Sequence, residues 1–255
     1  DGNYNLRGGI FGEFADSLCA RYGSWDALKT GWVSNINFEP HVGQEIFSNM
    51  AEACVENLNV MRETRIVSLC KLADGGWKVV AESAKGERVE VRASVLIDCT
   101  ELGDIAKMCG VQYKVGMDSR AATGESIAPE YANDIIQDLT YVAVLKDYGA
   151  DSDMTIPMPE GYDKSMFANC AVNPLNTFAE TGQTIWPPEN MITYGLLPNG
   201  KYMINWPIYG NDHYVNSIEM SPQEREEAYS NAKNFTRCFI YFIQTELGMK
   251  HLGLA

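Results

Sequence analysis

The chain has 255 residues, 45% of them hydrophobic, and a formal net charge of −14. This length and composition are enough for one large globular domain or two modest ones, each with its own core. The negative charge repels phosphate backbones and anionic lipid, which excludes a nucleic-acid-binding protein. The strongest apolar run, at residues 238–243, is far shorter than the roughly 20 residues of a membrane-spanning helix, so no membrane partner is expected.

The cysteines and histidines give no sign of a metal site. Seven cysteines are scattered without a C-x-x-C pair, and neither His41 nor His251 has a partner at metal-ligand spacing. We therefore expect no bound metal. An odd number of cysteines favours reduced thiols, and so slightly favours the cytoplasm over the periplasm. The sequence starts at Asp1, so a targeting peptide would lie outside it and the compartment is otherwise open.

Two helices and a β-meander are predicted in the first part of the chain. Residues 9–22 and 42–57 both repeat apolar side chains at helical spacing, which is typical of amphipathic helices. Three β-rich runs follow, separated by Asp74-Gly75 and Lys85-Gly86. Glycine enters tight turns without strain because it reaches positive φ angles, so the pattern predicts a three-stranded antiparallel meander.

The third of these strands changes character along its length. Residues 88–93 alternate polar and apolar side chains, whereas Val95-Leu96-Ile97 is apolar without alternation. The second pattern is typical of a strand that is covered on both faces of a parallel sheet. Asp98-Cys99-Thr100 then forms a polar corner, and Gly103-Asp104 begins a predicted helix.

The second half of the chain loses this clear alternation of strands and helices. Residues 139–148 predict a strand, and residues 191–211 predict a hairpin that turns at Asn199-Gly200, the strongest short turn signal. Residues 151–176 are rich in Pro, Gly, Asp and Asn and are predicted to form a loop. This half is therefore expected to be β-rich with long connections.

The last predicted element is a long helix. Ser221, Pro222 and Glu224 form a capping box with proline at the first helical position, and Gly248 is a stop signal. At about 1.5 Å per residue, a helix between these signals is roughly 40 Å long. Its core-facing residues are predicted from their spacing: Ala228, Ala232, Phe235, Phe239, Phe242 and Ile243.

Residues 205–214 concentrate aromatic and polar side chains directly after the hairpin strand. Three of them are candidates to bind a sugar or another polar organic substrate: Trp206, Tyr209 and Asn211. His213 exchanges protons near neutral pH, and together with Asp212 it is the candidate catalytic group. The alternative is an ordered loop whose polar side chains satisfy backbone groups.

Three segments of the chain resemble one enzyme family. An apolar run that ends in a small-Thr-x-x-Gly-Asp corner, after a helix and a β-meander, resembles the middle of FAD-dependent oxidoreductases of the glutathione-reductase type. VLIDCTELGDIAKMCGVQYKVGMDSR, KYMINWPIYGNDHYVN and IYFIQTELG are similar to a bacterial group that includes relatives of the heterodisulfide reductase A subunit, some of them labelled xanthan lyase-like. The likeness covers most of the chain, and its most specific part is residues 95–116.

The resemblance implies a cofactor contact at Thr100, Gly103 and Asp104, because the family places this corner against FAD. A strand end followed by a helix N-terminus also exposes backbone N–H groups and favours a pyrophosphate group. The alternative is that Thr100 only caps the helix and Asp104 only stabilises its first turn.

The dinucleotide-binding motif that usually opens such proteins is absent. G-x-G-x-x-G lies between a strand and a helix, whereas Gly8, Gly9 and Gly12 have a different spacing and predict a turn into a helix. The resemblance therefore implies a central fragment of a longer protein. The parent protein is expected to bind FAD, and this segment alone is expected to bind it poorly or not at all.

The resemblance implies a mixed α/β (α+β) fold. It combines a partial FAD-binding, Rossmann-like domain with a β-meander at residues 1–116 and a β-rich substrate domain with a long helix at residues 117–255. The function it implies is flavin-mediated hydride transfer on an unidentified small organic or sugar-like substrate. The alternative is a non-redox module for carbohydrate recognition or polysaccharide processing.

Overall fold

The structure is a computed structural model that describes residues 6–178 and 184–255. It combines helices with several antiparallel sheets, which confirms the mixed α/β class. Among the described residues, no helix has both the length and the apolar character that a bilayer crossing requires.

The chain divides into two compact units by its internal contacts. One unit consists of Asp1–Met50 together with Gln137–Ala255, and the other consists of Ala51–Ile136. This grouping differs from the expected boundary between residues 116 and 117, because the N-terminal helices group with the C-terminal part of the chain. A cofactor or substrate role for either region stays a prediction.

The unit of Ala51–Ile136 is built on the predicted meander. Its strands are β1 (Thr64–Lys71), β2 (Trp77–Ser83) and β3 (Arg88–Ala93), which pair antiparallel in the order β1-β2-β3. Two short helices follow, α3 (Asp104–Met108) and α4 (Arg120–Thr123). The meander is therefore confirmed, with its two turns at the predicted glycines.

The two faces of β2 differ in chemistry. Val79 and Ala81 are buried on one face. On the other face Glu82 pairs with Arg65 at 2.8 Å and with Arg88 at 2.7 Å. Both arginine side chains are largely exposed, so these pairs contribute little to stability. Burial of the apolar face stabilises the meander more than these exposed ion pairs do.

The predicted buried strand at Val95–Ile97 is wrong. Pairing between β2 and β3 ends at Trp77 and Ala93, and residues 94–100 form no strand. The side chains of Val95 and Ile97 are 68% and 77% exposed. In the described part of the chain every strand pair is antiparallel, so no parallel neighbour covers this segment.

The larger unit contains two further antiparallel sheets. Its strands are β4 (Leu139–Thr140), β5 (Ala143–Asp147), β6 (Leu196–Leu197), β7 (Lys201–Ile204), β8 (Asp212–His213) and β9 (Leu252–Leu254). One sheet pairs β4 with β8, and the other has the order β6-β7-β5-β9. The run predicted as one strand at residues 139–148 is thus two strands that belong to different sheets.

The predicted hairpin at Asn199-Gly200 is confirmed in β6 and β7. Asn199 lies at its turn with a φ of 62°. The start of the predicted range is not a strand, because Pro188–Thr193 forms a short helix, α5. As predicted, residues 151–176 contain neither α-helix nor strand, and one 3₁₀ turn at Lys164–Phe167 is their only regular piece.

The long helix α6 (Pro222–Thr245) forms as predicted. The Ser221 hydroxyl accepts from the Glu224 amide at 3.3 Å, and the Glu224 carboxylate accepts from the Ser221 amide at 2.7 Å. Its buried aromatic face is the centre of the main core, where Phe239 and Phe242 lie around Phe167 with ring centroids 5.1 and 5.7 Å away. The helix ends before Gly248, which has a φ of 72°.

A second core cluster joins the two N-terminal helices, α1 (Gly9–Tyr22) and α2 (Pro40–Glu52). Phe14 and Leu18 are buried there, as their spacing predicts, but Ile10 is exposed. The α2 helix starts earlier and ends earlier than the predicted range of 42–57, because residues 53–57 form turns.

A buried ion pair ties this N-terminal part to the hairpin of β6 and β7. Glu39 accepts from the Lys201 ammonium, from the Asn199 amide at 2.7 Å and from the Tyr22 hydroxyl at 3.1 Å. Burial by itself raises the pKa of Glu39, but the groups from Lys201, Asn199 and Tyr22 outweigh it and hold the pKa below its ordinary value. The charged carboxylate is therefore the form that the fold stabilises.

We expect Lys201→Met to lower the free energy of unfolding by about 3–5 kcal/mol at neutral pH, because it leaves the Glu39 charge buried without its cation.

The charged Glu39 contributes stability above the ordinary carboxyl pKa, and this contribution is lost as the pH falls through the lowered pKa of the folded state. The deficit of Glu39→Gln should therefore shrink on acidification. Urea denaturation at several acidic pH values measures the difference in the free energy of unfolding between wild type and Glu39→Gln. Glu13→Gln, at an exposed position, is the control and should show no such difference. Parallel pH profiles for wild type and Glu39→Gln would contradict the assignment.

Candidate functional site

The polar corner at residues 98–104 is organised by the carboxylate of Asp98. Its Oδ1 accepts from the backbone amide of Thr100 at 2.8 Å and from the Thr100 hydroxyl at 2.7 Å, and its Oδ2 accepts from the Ala106 amide at 2.7 Å. The Thr100 hydroxyl in turn accepts from the Asp104 amide at 2.9 Å. These bonds, led by the one from the Thr100 amide, hold the pKa of Asp98 below its ordinary value.

The Thr100 hydroxyl therefore accepts from the first residue of α3, although Gly103 is the N-cap residue, and a cofactor contact at Thr100 stays a prediction. The helix has only five residues, and the bonds to Thr100 and Asp98 already occupy the amides of Asp104 and Ala106. Gly103 lies just before it in the left-handed region, with φ 69° and ψ 28°. The expectation of a helix N-terminus open to a pyrophosphate is not supported by this geometry.

Three consecutive backbone N–H groups at the corner are not used by Asp98 or Thr100. Within the described residues no hydrogen bond from the amide of Glu101, Leu102 or Gly103 to a protein acceptor is present. A Cβ added to Gly103 would have no atom within 4 Å, so its backbone is open to a close approach. Successive amides next to a left-handed residue form a concave site for electronegative atoms.

The charges around these amides select the kind of oxygen that fits there. Asp98, Glu101 and Asp104 place three carboxylates in seven residues. The negative charges of these carboxylates disfavour a doubly charged pyrophosphate at the same turn. Hydroxyl and carbonyl oxygens accept hydrogen bonds without this repulsion, so the corner is suited to the uncharged polar part of a ligand.

Trp206 and Asn211, two of the predicted substrate contacts, lie inside the protein. They are 2% and 0% exposed. The Trp206 indole donates to the Cys170 carbonyl at 2.8 Å. The Asn211 side chain accepts from the Trp206 amide at 3.0 Å and donates to the Ile204 carbonyl at 3.0 Å. In this structure both side chains hold the loop in place and offer no surface to a substrate, because their polar atoms are already bonded.

The other predicted groups of this loop are accessible to different degrees. Tyr209 is 55% exposed, has a φ of 50°, and contacts the Phe178 ring at a centroid distance of 5.0 Å. A positive φ on a bulky residue is uncommon and strained, and such strain concentrates at functional positions. Tyr209 is thus the exposed aromatic side chain among the three predicted substrate contacts.

Asp212 and His213 do not act as a pair in this structure. They are adjacent on β8, and successive side chains of a strand point to opposite faces. The Asp212 carboxylate accepts from the Thr140 hydroxyl on the paired strand β4, and the His213 ring lies 5.2 Å from that of Phe235. A catalytic role for either residue stays a prediction.

The cysteines and acidic groups suggest no further chemistry. All seven cysteines, each within the described ranges, are free thiols, and burial raises the pKa of Cys170 to about 12. A thiol with so high a pKa is not a nucleophile at neutral pH. In the ranges 6–178 and 184–255, no group of three or more His, Cys, Asp and Glu side chains is placed to hold a metal ion.

A family model described as "FAD dependent oxidoreductase" matches residues 1–255. The chain belongs to this FAD dependent oxidoreductase family. No curated protein matches, and no solved structure matches. Membership implies FAD as the cofactor of these enzymes. The hydroxyl and carbonyl oxygens of FAD fit the amides of Glu101, Leu102 and Gly103, whereas its pyrophosphate does not suit the three carboxylates.

Asp98 was not among the residues predicted to form the site. The sequence did contain a signal for it, because Asp two residues before Thr is a common side-chain turn that captures the following amides. The spacing of eight residues between Asp98 and the Ala106 amide was not predictable, because it requires the turn at Gly103 to bring the helix back.

We expect Asp98→Asn to accelerate hydrogen exchange of the Ala106 amide by about tenfold, because an amide side chain cannot accept at both of its ends. Exchange followed by NMR or mass spectrometry measures this change. Acidification of the wild type through the lowered pKa of Asp98 should lower the protection factor of this amide, which compares its exchange rate with that of an unfolded peptide at the same pH, since protonation removes the acceptor charge. Glu101→Gln, at an exposed side chain of the same corner, is the matched control, and an equal effect there would contradict the role of Asp98.

We expect Asn211→Ala to lower the free energy of unfolding by about 2–4 kcal/mol, because it leaves the Trp206 amide and the Ile204 carbonyl buried without partners. Asn231→Ala, at an exposed position of α6, should change it by less than about 0.5 kcal/mol. Chemical denaturation compares the two. A loss near zero for Asn211→Ala would show that the loop is not held by this side chain.

Proposed function

We propose that this chain is the central part of an FAD-dependent oxidoreductase, in which hydride passes between the flavin and a small organic substrate. Family membership supports the flavin chemistry. The observation that carries the assignment of the site is the row of amides at Glu101, Leu102 and Gly103, which have no protein acceptor within the described residues and lie on an open corner. FAD, when bound, supplies the redox chemistry.

The corner residues have distinct roles in this proposal. The Thr100 hydroxyl fixes the turn by bonding Asp98 and the Asp104 amide. Gly103 lets the backbone approach the cofactor closely, because it carries no side chain and adopts a positive φ. Asp104 begins α3 and has a favourable interaction with its N-terminal end. The three amides then donate to uncharged oxygens of FAD.

The substrate wall is proposed at residues 139–214. Tyr209 supplies an exposed aromatic surface, and His213 is the candidate side chain for proton transfer. Asp212 positions β8 through its bond to Thr140. Trp206 contributes by holding this loop rather than by touching a substrate, because it is buried.

The exposed segment Val95–Ile97 supports the proposal that further chain lies against this one in the complete enzyme. Apolar residues in an extended segment are stabilised when neighbouring strands cover them. Here the side chains of Val95 and Ile97 face solvent. Strands from elsewhere in the protein would bury them and bring the corner at Thr100 to a sheet edge.

One observation favours the non-redox alternative, a carbohydrate-binding module. Trp32 is half exposed and stacks on Trp186 with ring centroids 5.4 Å apart. Its indole N–H is fixed by the Asn190 carbonyl at 3.1 Å. A rigid, exposed indole is a surface on which a sugar ring packs.

The decisive experiment is the visible spectrum of the protein expressed from its complete reading frame. We expect a yellow protein whose flavin band bleaches when a reductant is added without oxygen.

Gly103→Ala should lower the flavin content, because the new Cβ occupies the space through which the cofactor approaches. Gly110→Ala is the matched control, since it has a φ of 73° and an equally open Cβ position outside the corner. A colourless wild-type protein would overturn the redox function and favour the carbohydrate alternative. Equal flavin loss in both variants would overturn the assignment of the corner as a cofactor contact.

A further inference from the structure

The outer edge of β3, in the unit of Ala51–Ile136, is an unpaired strand edge. The Ser83 amide donates to the Glu87 carbonyl at 2.9 Å, which makes these two residues a hydrogen-bonded pair of the β2–β3 ladder. Such pairs alternate along an antiparallel ladder, so Val89 and Val91 direct their backbone groups toward β2. The backbone groups of the alternate residues therefore face outward: Arg88, Glu90 and Arg92. Within the described residues, no backbone bond joins these outward groups to another strand or loop.

Other strand edges of the protein are irregular, short or already bonded. The edge strand β1 has a register shift next to Ile66, and such a shift interrupts a continuous ladder. At the edge strand β6, the Leu196 carbonyl accepts from the Thr30 hydroxyl. The edge strand β9 has three residues, and its Leu254 carbonyl accepts from the Tyr148 hydroxyl at 3.0 Å. By contrast, β3 pairs with β2 over six residues without a shift, so its free edge is regular.

The side chains of β3 alternate between a charged face and an apolar face. The apolar residues are Val89, Val91 and Ala93, and Val89 is half exposed. On the charged face, Glu90 lies between two arginines. Charged side chains of one sign protect a strand edge from pairing, because a second copy would be repelled. Alternating signs remove this protection wherever a register places opposite charges together.

One antiparallel register of two β3 strands meets this condition. In it, Glu90 of each chain faces Arg92 of the other, and Val91 faces its own copy on a twofold axis. Val89 then faces Ala93, so the apolar face continues across the axis. Glu90 and Arg92 are also residues whose backbone groups face outward, so the same register forms the ladder hydrogen bonds.

Two neighbouring registers are less favourable. A pair centred on Glu90 would place Glu90 opposite its own copy and the two arginines opposite each other, and like charges directly opposite are destabilising. A pair centred on Val89 would place Arg92 opposite Gly86, which lies in the turn before β3. The charges and the length of the strand together therefore select the register centred on Val91.

We propose that two copies of this chain pair edge to edge through β3, in the register centred on Val91. The two three-stranded meanders then form one continuous antiparallel sheet across a twofold axis. Backbone hydrogen bonds between the strands supply the attraction, and the two contacts between Glu90 and Arg92 select the register. The dimer is weak, because one strand edge buries less surface than the roughly 1,600 Å² of a standard interface. This interface uses none of the residues of the corner at 98–104.

A cysteine on the twofold axis tests the register directly. Facing residues of a non-hydrogen-bonded pair have Cα atoms about 4.5 Å apart, a distance that a disulfide spans. The exposed thiols of Cys54, Cys70 and Cys99 are first changed to serine. In that background we expect Val91→Cys to give a disulfide-linked dimer on a non-reducing gel after oxidised glutathione is added. Val89→Cys, on the same face of the same strand, is the matched control and should stay monomeric, because it does not face its own copy.

Sedimentation velocity of the flavin-free chain, from about 0.01 to about 1 mM, measures the pairing without a cross-link. We expect a concentration-dependent equilibrium between monomer and dimer. Arg92→Glu should weaken the dimer by about tenfold, because it places like charges opposite each other at both contacts with Glu90. The double variant Glu90→Arg/Arg92→Glu should restore the dimer, because the opposite charges are only exchanged. Lys78 keeps an acidic neighbour in the double variant, since it is paired with position 92.

Lys85→Glu is the matched control for net charge. Lys85 is exposed in the turn before β3 and lies outside the paired residues, so this variant should leave the dimer unchanged.

The proposal is overturned if the wild-type chain stays monomeric throughout this range, or if Val89→Cys and Val91→Cys cross-link alike. It is also overturned if the double variant does not recover the association that Arg92→Glu loses. Because no flavin takes part, failure here is distinguishable from failure of the oxidoreductase assignment, which the spectrum of the complete protein tests.

Discussion

The fold depends on a buried face of α6 that supplies hydrogen bonds as well as apolar area. The connections packed on this helix contain little regular structure, so their buried backbone groups need side-chain partners. Gln244 accepts from the Ile156 amide at 3.0 Å and donates to the carbonyls of Met154 and Leu252 at 2.8 and 2.7 Å. One side chain thus joins the long loop, the edge strand β9 and the helix. Without such partners the aromatic core would lack a covering layer.

A second constraint joins segments that are far apart in sequence. Glu39 precedes α2, whereas its partners Asn199 and Lys201 lie on the hairpin of β6 and β7. Close packing accompanies this pairing, because a Cβ at Gly31 would lie 2.7 Å from the Tyr194 carbonyl oxygen. A buried ion pair adds less net stability than its geometry suggests, since desolvation offsets the attraction. Its main effect is to fix which surfaces meet, because a mispaired buried charge is costly.

At the candidate site, too, a polar side chain fixes the path of the backbone through its hydrogen bonds. At the corner, Asp98 uses both of its oxygens to fold the chain back on itself. Together with Glu101 and Asp104, Asp98 gives this turn a negative charge. Family membership and this local chemistry are independent observations, and the proposed contact between the turn and uncharged oxygens of FAD rests on both. In the loop of Tyr209, by contrast, the buried side chains of Trp206 and Asn211 hold the shape, whereas Tyr209 is exposed.

The sequence by itself determined the elements whose signals are local. The capping box at Ser221, the meander turns and the Asn199-Gly200 hairpin all depend on residues within a few positions of one another, and each forms where predicted. Burial was decided only by the tertiary structure, because an apolar or aromatic side chain is buried only if another part of the chain covers it. Val95 and Ile97 have the pattern of a core strand and are exposed, whereas Trp206 has the composition of a binding loop and is buried. Gln244 in the core, likewise, bonds the Ile156 amide and the Met154 carbonyl, which lie 88 and 90 residues away in the sequence.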